Sequence, residues 1–264
     1  MMEKELNSFE SLTCEGNIGK KVHYLKEVDS TNSYASKLAS NGSVEGEVVI
    51  AESQNKGRGR NKHVWQSPSG CNLYVSIILR PSIQAFLAPQ LTLVAGVAVA
   101  ELLRQYCPGK VFLKWPNDVL IDGKKICGIL TEMTVKQGAI DFVIVGIGIN
   151  INIRKDDLDQ GHRHKATSLY EETAKQVSRG VFASALFGSF ERWYESYISK
   201  GFSFVKERWT ELSGIIGNEV AVSDRDIIRR GRALGINDFG ELIVLDANNI
   251  RHQIIAGDVE TVGE

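Results

Sequence analysis

The chain has 264 residues, 43% of them hydrophobic, enough to bury one substantial core with a small appendage and too ordinary a composition for a disordered or fibrous protein. Lys and Arg number 31 against 32 Asp and Glu, a formal charge of -1, so no overall positive field exists to hold nucleic acid by counterion release. The start, Met1-Met2-Glu3-Lys4-Glu5, lacks the apolar run of a signal peptide, and Ile77 to Leu79 and Leu91 to Leu103 fall short of a membrane span or carry polar interruptions. A soluble cytoplasmic enzyme is the expectation, with no membrane insertion and no dedicated DNA-binding role.

In chain order, residues 21–28 read as a strand leading into Asp29-Ser30-Thr31-Asn32, after which Tyr34, Ala35, Leu38 and Ala39 recur at helical spacing. Val48 to Ala51 and Leu73 to Leu79 are short strands, separated by a polar, glycine- and cation-bearing segment, Glu52 to Gly70, that reads as a long mobile loop. Leu87 to Cys107 is helical in spacing and stops at Pro108-Gly109; Val111 to Trp115 resumes as a strand. Val119 to Ile121 and Ile126 to Thr131 flank a hairpin turn at Asp122-Gly123-Lys124, and Ile140 to Ile153 continues the sheet. Val181 to Ile198 places Phe182, Leu186, Phe190, Trp193 and Tyr197 on one helical face. Trp209 and Leu212 then close the larger domain, after which Glu219 to Val222, Ile227 to Leu234, Leu242 to Leu245 and Ile250 to Ile255 are short strands of a small β-barrel. The fold class is α+β: a mixed β-sheet domain packed with helices over residues 1–213, and a small barrel over 214–264 that leans on it.

Chemistry concentrates in a few segments. Gln54-Asn55-Lys56-Gly57-Arg58-Gly59-Arg60, with Trp65 following, reads either as a solvated basic loop or as a clamp whose two arginines converge on one anion. Lys114-Trp115-Pro116-Asn117-Asp118, at a strand end, reads as a turn or as a set of phosphate, hydroxyl and metal contacts. Lys124 and Lys125 flank an apolar strand, and either one can be the lysine that points inward. Val145 to Asn150 contains a GxG followed by more strand, which excludes a Rossmann site and suits close approach of a ligand to a buried strand. Asp29 to Asn32 reads as a helix N-cap that can also meet a ligand's polar head. The chain has no GxxxxGK[ST], so ATP phosphates would need another cradle, for which Arg58, Arg60, Lys114 and Lys125 are the candidates. Cys14, Cys71, Cys107 and Cys127 lack metal-ligand spacing and read as reduced thiols; His162 and His164 read as residues of a solvated loop, and no protein-built metal site is assigned.

Five of these motifs, STN at Ser30 to Asn32, GRGR at Gly57 to Arg60 with Trp65, KWPND at Lys114 to Asp118, KICGIL at Lys125 to Leu130 and GIGIN at Gly146 to Asn150, stand in the order found in the biotin protein ligases, which the chain resembles from about Tyr24 onward. The resemblance implies activation of biotin by MgATP to biotinyl-adenylate and transfer to a lysine of a biotin carboxyl carrier protein. It implies a biotin pocket lined by Ser30, Thr31, Asn32, Gln54, Gly57, Arg58 and Gly128, with Arg60 and Lys125 steadying the carboxylate and α-phosphate. It places Trp65 on the closed loop, with Lys114, Asn117, Asp118 and Asn150 on the nucleotide side and no assigned Mg²⁺ ligand. The tail resembles the family's SH3-like domain, a homodimer through sheet edges is implied, and the roughly 20 residues before the first strand are too few for the DNA-binding domain of the repressor members. Lipoate or octanoate ligase and a non-catalytic biotin sensor are the alternatives.

Overall fold

The computed structural model describes residue 9, residue 12 and residues 14–158, 166–224 and 227–262. Seven strands form a mixed sheet: β1 (Val22–Val28), β2 (Val48–Gln54), β3 (Leu73–Leu79), β4 (Val111–Lys114), β5 (Asp118–Ile121), β6 (Lys124–Lys136) and β7 (Ala139–Ile149), in the order β1-β2-β3-β7-β6-β5-β4. Only β1 and β2 run parallel, joined by a crossover helix, α1 (Thr31–Ser40); every other neighbour is antiparallel. Further helices are α2 (Gln90–Arg104), the short α3 (Leu169–Thr173), α4 (Arg179–Lys200) and α5 (Phe202–Leu212).

Strand periodicity sorts the sheet into two faces. Leu73, Val75, Ile77 and Leu79 of β3 and Val143, Val145, Ile147 and Ile149 of β7 belong to the main core, which α2, α4 and α5 cover. On the opposite face Ile78, Phe142 and Ile144 pack under Ala35 and Ala39 of α1. That second row then changes character along β7: after Phe142 and Ile144 come Gly146, Gly148 and Asn150, so the sheet is covered by a helix at one end and bare at the other. The bare end is where a ligand can reach the backbone.

The α+β expectation holds, with several differences in detail. The hairpin turn is only Asp122-Gly123, both at positive φ (46° and 75°), the pairing of a two-residue type I′ turn, so Lys124 starts a strand instead of sitting in the turn. A second such turn, Gln137-Gly138 (φ 51° and 83°), lets β6 run five residues beyond Thr131, because cross-strand pairing with β7 carries a polar tip that alternation alone does not mark. Trp209 and Leu212 sit on a helix of their own, α5, restarted at Gly201 (φ 81°). The run Ala85–Arg104 is apolar and long enough to cross a bilayer, but its residues fill the main core. All four cysteines are free, with burial raising the thiols of Cys107 and Cys127; His162 and His164 lie outside the described residues.

Beyond Gly217 the chain makes a five-stranded antiparallel sheet: β8 (Glu219–Asp224), β9 (Ile227–Ile236), β10 (Leu242–Leu245), β11 (Arg251–Ile254) and β12 (Asp258–Thr261), ordered β11-β10-β9-β8-β12. The last strand was not anticipated; its four residues gain their order from pairing with β8. Val220, Val222, Ala233, Ile236, Leu242 and Val244 join the main core, and Trp115 donates its indole N–H to the Gly240 carbonyl at 3.0 Å, so the small sheet is braced by the KWPND strand end.

Candidate active site

The five motif segments converge on one cleft of about 380 Å³ at the bare end of the sheet, within the range of small-molecule sites. Its floor is a backbone patch: Gly128 of β6 and Gly148 of β7 are partners in register, beside Tyr74 of β3.

The glycines have identifiable occupants. A Cβ on Gly146 would fall 2.0 Å from Oδ1 of Asn32, and one on Gly148 would fall 2.6 Å from Nε1 and Cε2 of Trp65. A Cβ on Gly128 would meet the other side of the same indole at 2.9 Å. The sheet is therefore hollowed so that Asn32 and Trp65 can lie against it. Trp65 lies across the floor with its buried Nε1–H unpaired, and Lys125 Nζ stands 5.6 Å from the ring centroid.

At the α1 end, polar groups lock one another. Ser30 holds the N-cap position without a capping bond from its side chain, so the N-cap reading is right for the backbone only. The hydroxyl and backbone N–H of Thr31 both donate to Oε1 of Gln54, at 3.1 and 2.8 Å, and Gln54 Nε2 donates to Ser67 Oγ. Ser76, fully buried on β3, lies 2.9 Å from Thr31 Oγ1 and 2.6 Å from Asn32 Oδ1. Asn32 Nδ2 donates to the Leu130 carbonyl and to Glu132.

At the other end stand the cations. Lys125 faces the cleft and pairs with Asp118 at 2.7 Å; Lys124 points away to Glu172, which settles which of the two lysines lies inward. Lys114 is buried, and burial lowers its ammonium pKa, with the Asp118 charge pulling the other way and Lys125 adding to the decrease. Arg60 donates to Asn117 Oδ1 (3.3 Å) and to the Gly257 carbonyl (3.2 Å), and lies 3.6 Å from Asp258, so the C-terminal sheet holds the loop's second arginine. Arg58, also on the cleft wall, has a different partner: it is ion-paired with Glu132 at 2.6 Å.

Of the expected site residues, Ser30, Thr31, Asn32, Gln54, Arg58, Arg60, Trp65, Lys114, Asn117, Asp118, Lys125, Gly128 and Asn150 line the cleft. Gly57 sits behind it: its carbonyl accepts from Trp65 N, and a Cβ there would meet the Trp65 carbonyl at 2.2 Å. Asn150 has both ends of its amide engaged, accepting from Asn72 at 3.3 Å and donating to the Thr167 carbonyl at 3.0 Å. Sequence reading passed over Asn72, Tyr74, Ser76, Glu132 and Asp258. The signal for Ser76 was present, as a lone polar residue in the apolar strand LYVSIIL; nothing comparable marked Asp258.

Residues 24–150 match the model of the biotin/lipoate A/B protein ligase family, and residues 215–261 match that of the biotin protein ligase C-terminal domain. The bifunctional ligase/repressor of Bacillus spizizenii is 37% identical over 92% of this chain and 74% of its own length. A biotin–acetyl-CoA-carboxylase ligase of Paracoccus denitrificans is 33% identical over 83% of this chain and 92% of its own. Among solved structures, the biotin protein ligase of Aquifex aeolicus in complex with biotin and ATP superposes with a TM-score of 0.78 at 31% identity, covering 92% of this chain and 98% of that one.

Proposed function

The chain belongs to the biotin protein ligase family, and from that premise we propose how its cleft activates biotin with ATP and passes it to a carrier lysine. In the first half-reaction a biotin carboxylate oxygen attacks the α-phosphorus and pyrophosphate leaves. In the second, a lysine ε-amine attacks the mixed anhydride, forming an amide and releasing AMP and a proton. Both steps gather negative charge at one place, so neutralising groups held rigidly around it are the main catalytic demand.

The observation that carries the assignment of roles is the division of the cleft. Thr31, Asn32 and Gln54, with Ser30 beside them, form a hydroxyl–amide end suited to a polar ring system, and Gly128 gives the Trp65 indole beside them its seat against backbone. Arg60, Lys114 and Lys125 form a cationic end suited to a carboxylate and an α-phosphate, with Asn117 and Asp118 on the nucleotide side. Trp65 lies between the two on the glycine floor; its unpaired N–H is a donor left for a ligand acceptor. Gly57 supports the loop from behind, and Asn150 steadies the segment at Thr167.

Four of the relatives are ligase/repressors, but we assign this chain the ligase reaction alone, on a net charge of -1 that provides no overall positive field for DNA; sequence-specific retention of an operator fragment in a gel shift would overturn that. We further assign the carrier to a biotin-dependent carboxylase, and the protein to the cytoplasm, where its free thiols stay reduced. For a homodimer through an edge of the seven-stranded sheet we assign β1, because β4 at the other edge is bridged to Ser213 through Leu113 while no strand pairs beyond β1 among the described residues.

Biotin-dependent ATP–pyrophosphate exchange tests the reading, with lipoate and octanoate in parallel, followed by mass-shift detection of the modified carrier. Exchange with biotin is expected. Exchange with lipoate or octanoate in its place would move the chain to the rival ligase class, and exchange with none of them would favour a sensor.

A further inference from the structure

Glu132 lies outside the five motifs, two residues past KICGIL on β6. Register places it on the cleft-facing row with Gly128 and Leu130. One carboxylate oxygen, Oε2, accepts from two parts of the site that are far apart in sequence: Asn32 Nδ2 at 2.8 Å and Arg58 Nη2 at 2.6 Å. Asn32 is a fixed post, buried over Gly146 and held by Ser76 and the Leu130 carbonyl. Glu132 joins that post to the loop. A groove of about 610 Å³, open to solvent and bordered by Lys56, Gly57, Arg58, Leu130 and Glu132, runs between loop and strand here, so the ion pair is a tie across it, in addition to the Lys56 contacts with Asp29 at the loop's start.

We propose that Glu132 is a positioning residue: it takes up the charge of Arg58 and pins the GRGR loop to the start of α1, leaving Arg60 to face the ligand's anionic group. The chemistry fits, because a guanidinium already engaged by a carboxylate is a poor second ligand for an incoming anion. It also accounts for two arginines separated by a single glycine having different neighbours: Glu132 at 2.6 Å for Arg58, and Asn117, the Gly257 carbonyl and a longer 3.6 Å contact with Asp258 for Arg60. The ligand-binding part of this proposal rests on the function proposed above; the pinning of the loop does not.

The test compares Glu132→Ala and Glu132→Gln with the wild-type chain. In ligand-free protein, tryptic cleavage after Lys56, Arg58 and Arg60 should be about three- to tenfold faster in Glu132→Ala, as loss of a charge-assisted, half-exposed pair implies. Glu132→Gln should fall between, since its amide oxygen still accepts from both donors. In the exchange assay KM for biotin should rise by a similar factor in Glu132→Ala, with kcat within about twofold of wild type. An unchanged cleavage rate, a loss of kcat at constant KM, or a fall in melting temperature that Glu132→Gln shares in full would overturn the proposal. Cleavage is read without substrate, so it reports on Glu132 whichever acid the cleft activates.

Discussion

Replacing Gly148 with alanine puts the seat of Trp65 to a direct test. The added Cβ would stand 2.6 Å from Nε1 and Cε2 of the indole and 3.0 Å from Cζ2. Carbon contacts are comfortable at about 3.5–4.0 Å, so the ring must lift by about 1 Å. The strand itself tolerates alanine: Gly148 lies in mid-strand between Tyr74 and Gly128 and is not among the glycines at positive φ. The strain therefore goes to the movable partner, the loop. Overpacking of this kind costs about 1–3 kcal/mol, which reduces the seated population by about 5- to 150-fold at 1.4 kcal/mol per decade. Proteolysis of a rapidly opening segment follows the open population, so tryptic cleavage between Lys56 and Arg60 should accelerate by a comparable factor. Tryptophan emission should shift to the red, since Trp115 and Trp209 stay buried, Trp193 stays stacked on Phe204 away from the cleft, and only Trp65 is displaced. Biotin-dependent exchange should fall at least about tenfold, with the melting temperature within about 2 °C of wild type. Wild-type cleavage and emission in a folded Gly148→Ala protein would refute the seat, and with it the account of why GIGIN carries its second glycine.

Three further outcomes follow from the same geometry. Ser76→Ala removes the hydroxyl shared by Thr31 and Asn32, so it should cost about 1 kcal/mol in urea denaturation and raise KM for biotin several-fold, and an unchanged KM would show that the buried network is structural only. Lys125→Ala should lower the exchange rate by at least about 100-fold while Lys124→Ala stays within about twofold, because only Lys125 reaches the cleft; equal losses would contradict the pairing of Lys124 with Glu172. Glu47 has its pKa lowered to about 2: burial opposes ionisation, but hydrogen bonds from His23, Lys21, the Val44 N–H and Ser43 outweigh it. Its stabilising contribution is then complete above the unfolded pKa near 4.5 and is lost as pH falls toward 2, so Glu47→Gln should lower the melting temperature at pH 6 and make no difference at pH 2; an equal loss at both would place the effect in packing.

Much of the fold was legible because it depends on local signals. Alternation marked β3 from Leu73 to Leu79, the Asp-Gly pair marked the β5–β6 turn, and helical spacing marked α1, α2 and α4. The elements that escaped were those whose order comes from a partner. β12 exists through pairing with β8, the far half of β6 through pairing with β7, and α5 carries its apolar residues in a short stretch just after another helix.

For the site, the sequence by itself determined which residue types were available and, through five ordered motifs, the family and its reaction. It left open what each glycine and each cation does, because those roles are set by neighbours far along the chain. Asn32 lies against Gly146, Trp65 against Gly128 and Gly148, Arg58 meets Glu132 74 positions away, and Arg60 meets Gly257 197 positions away. Only the tertiary structure decided that Lys125 faces the cleft while Lys124 turns to Glu172, and that the two arginines of GRGR take different partners, Glu132 for Arg58 and Asn117, Gly257 and Asp258 for Arg60. The physical reason is that side-chain charge and hydrogen-bonding capacity are used up by contact: composition states what a residue can bind, and packing determines what remains for a ligand.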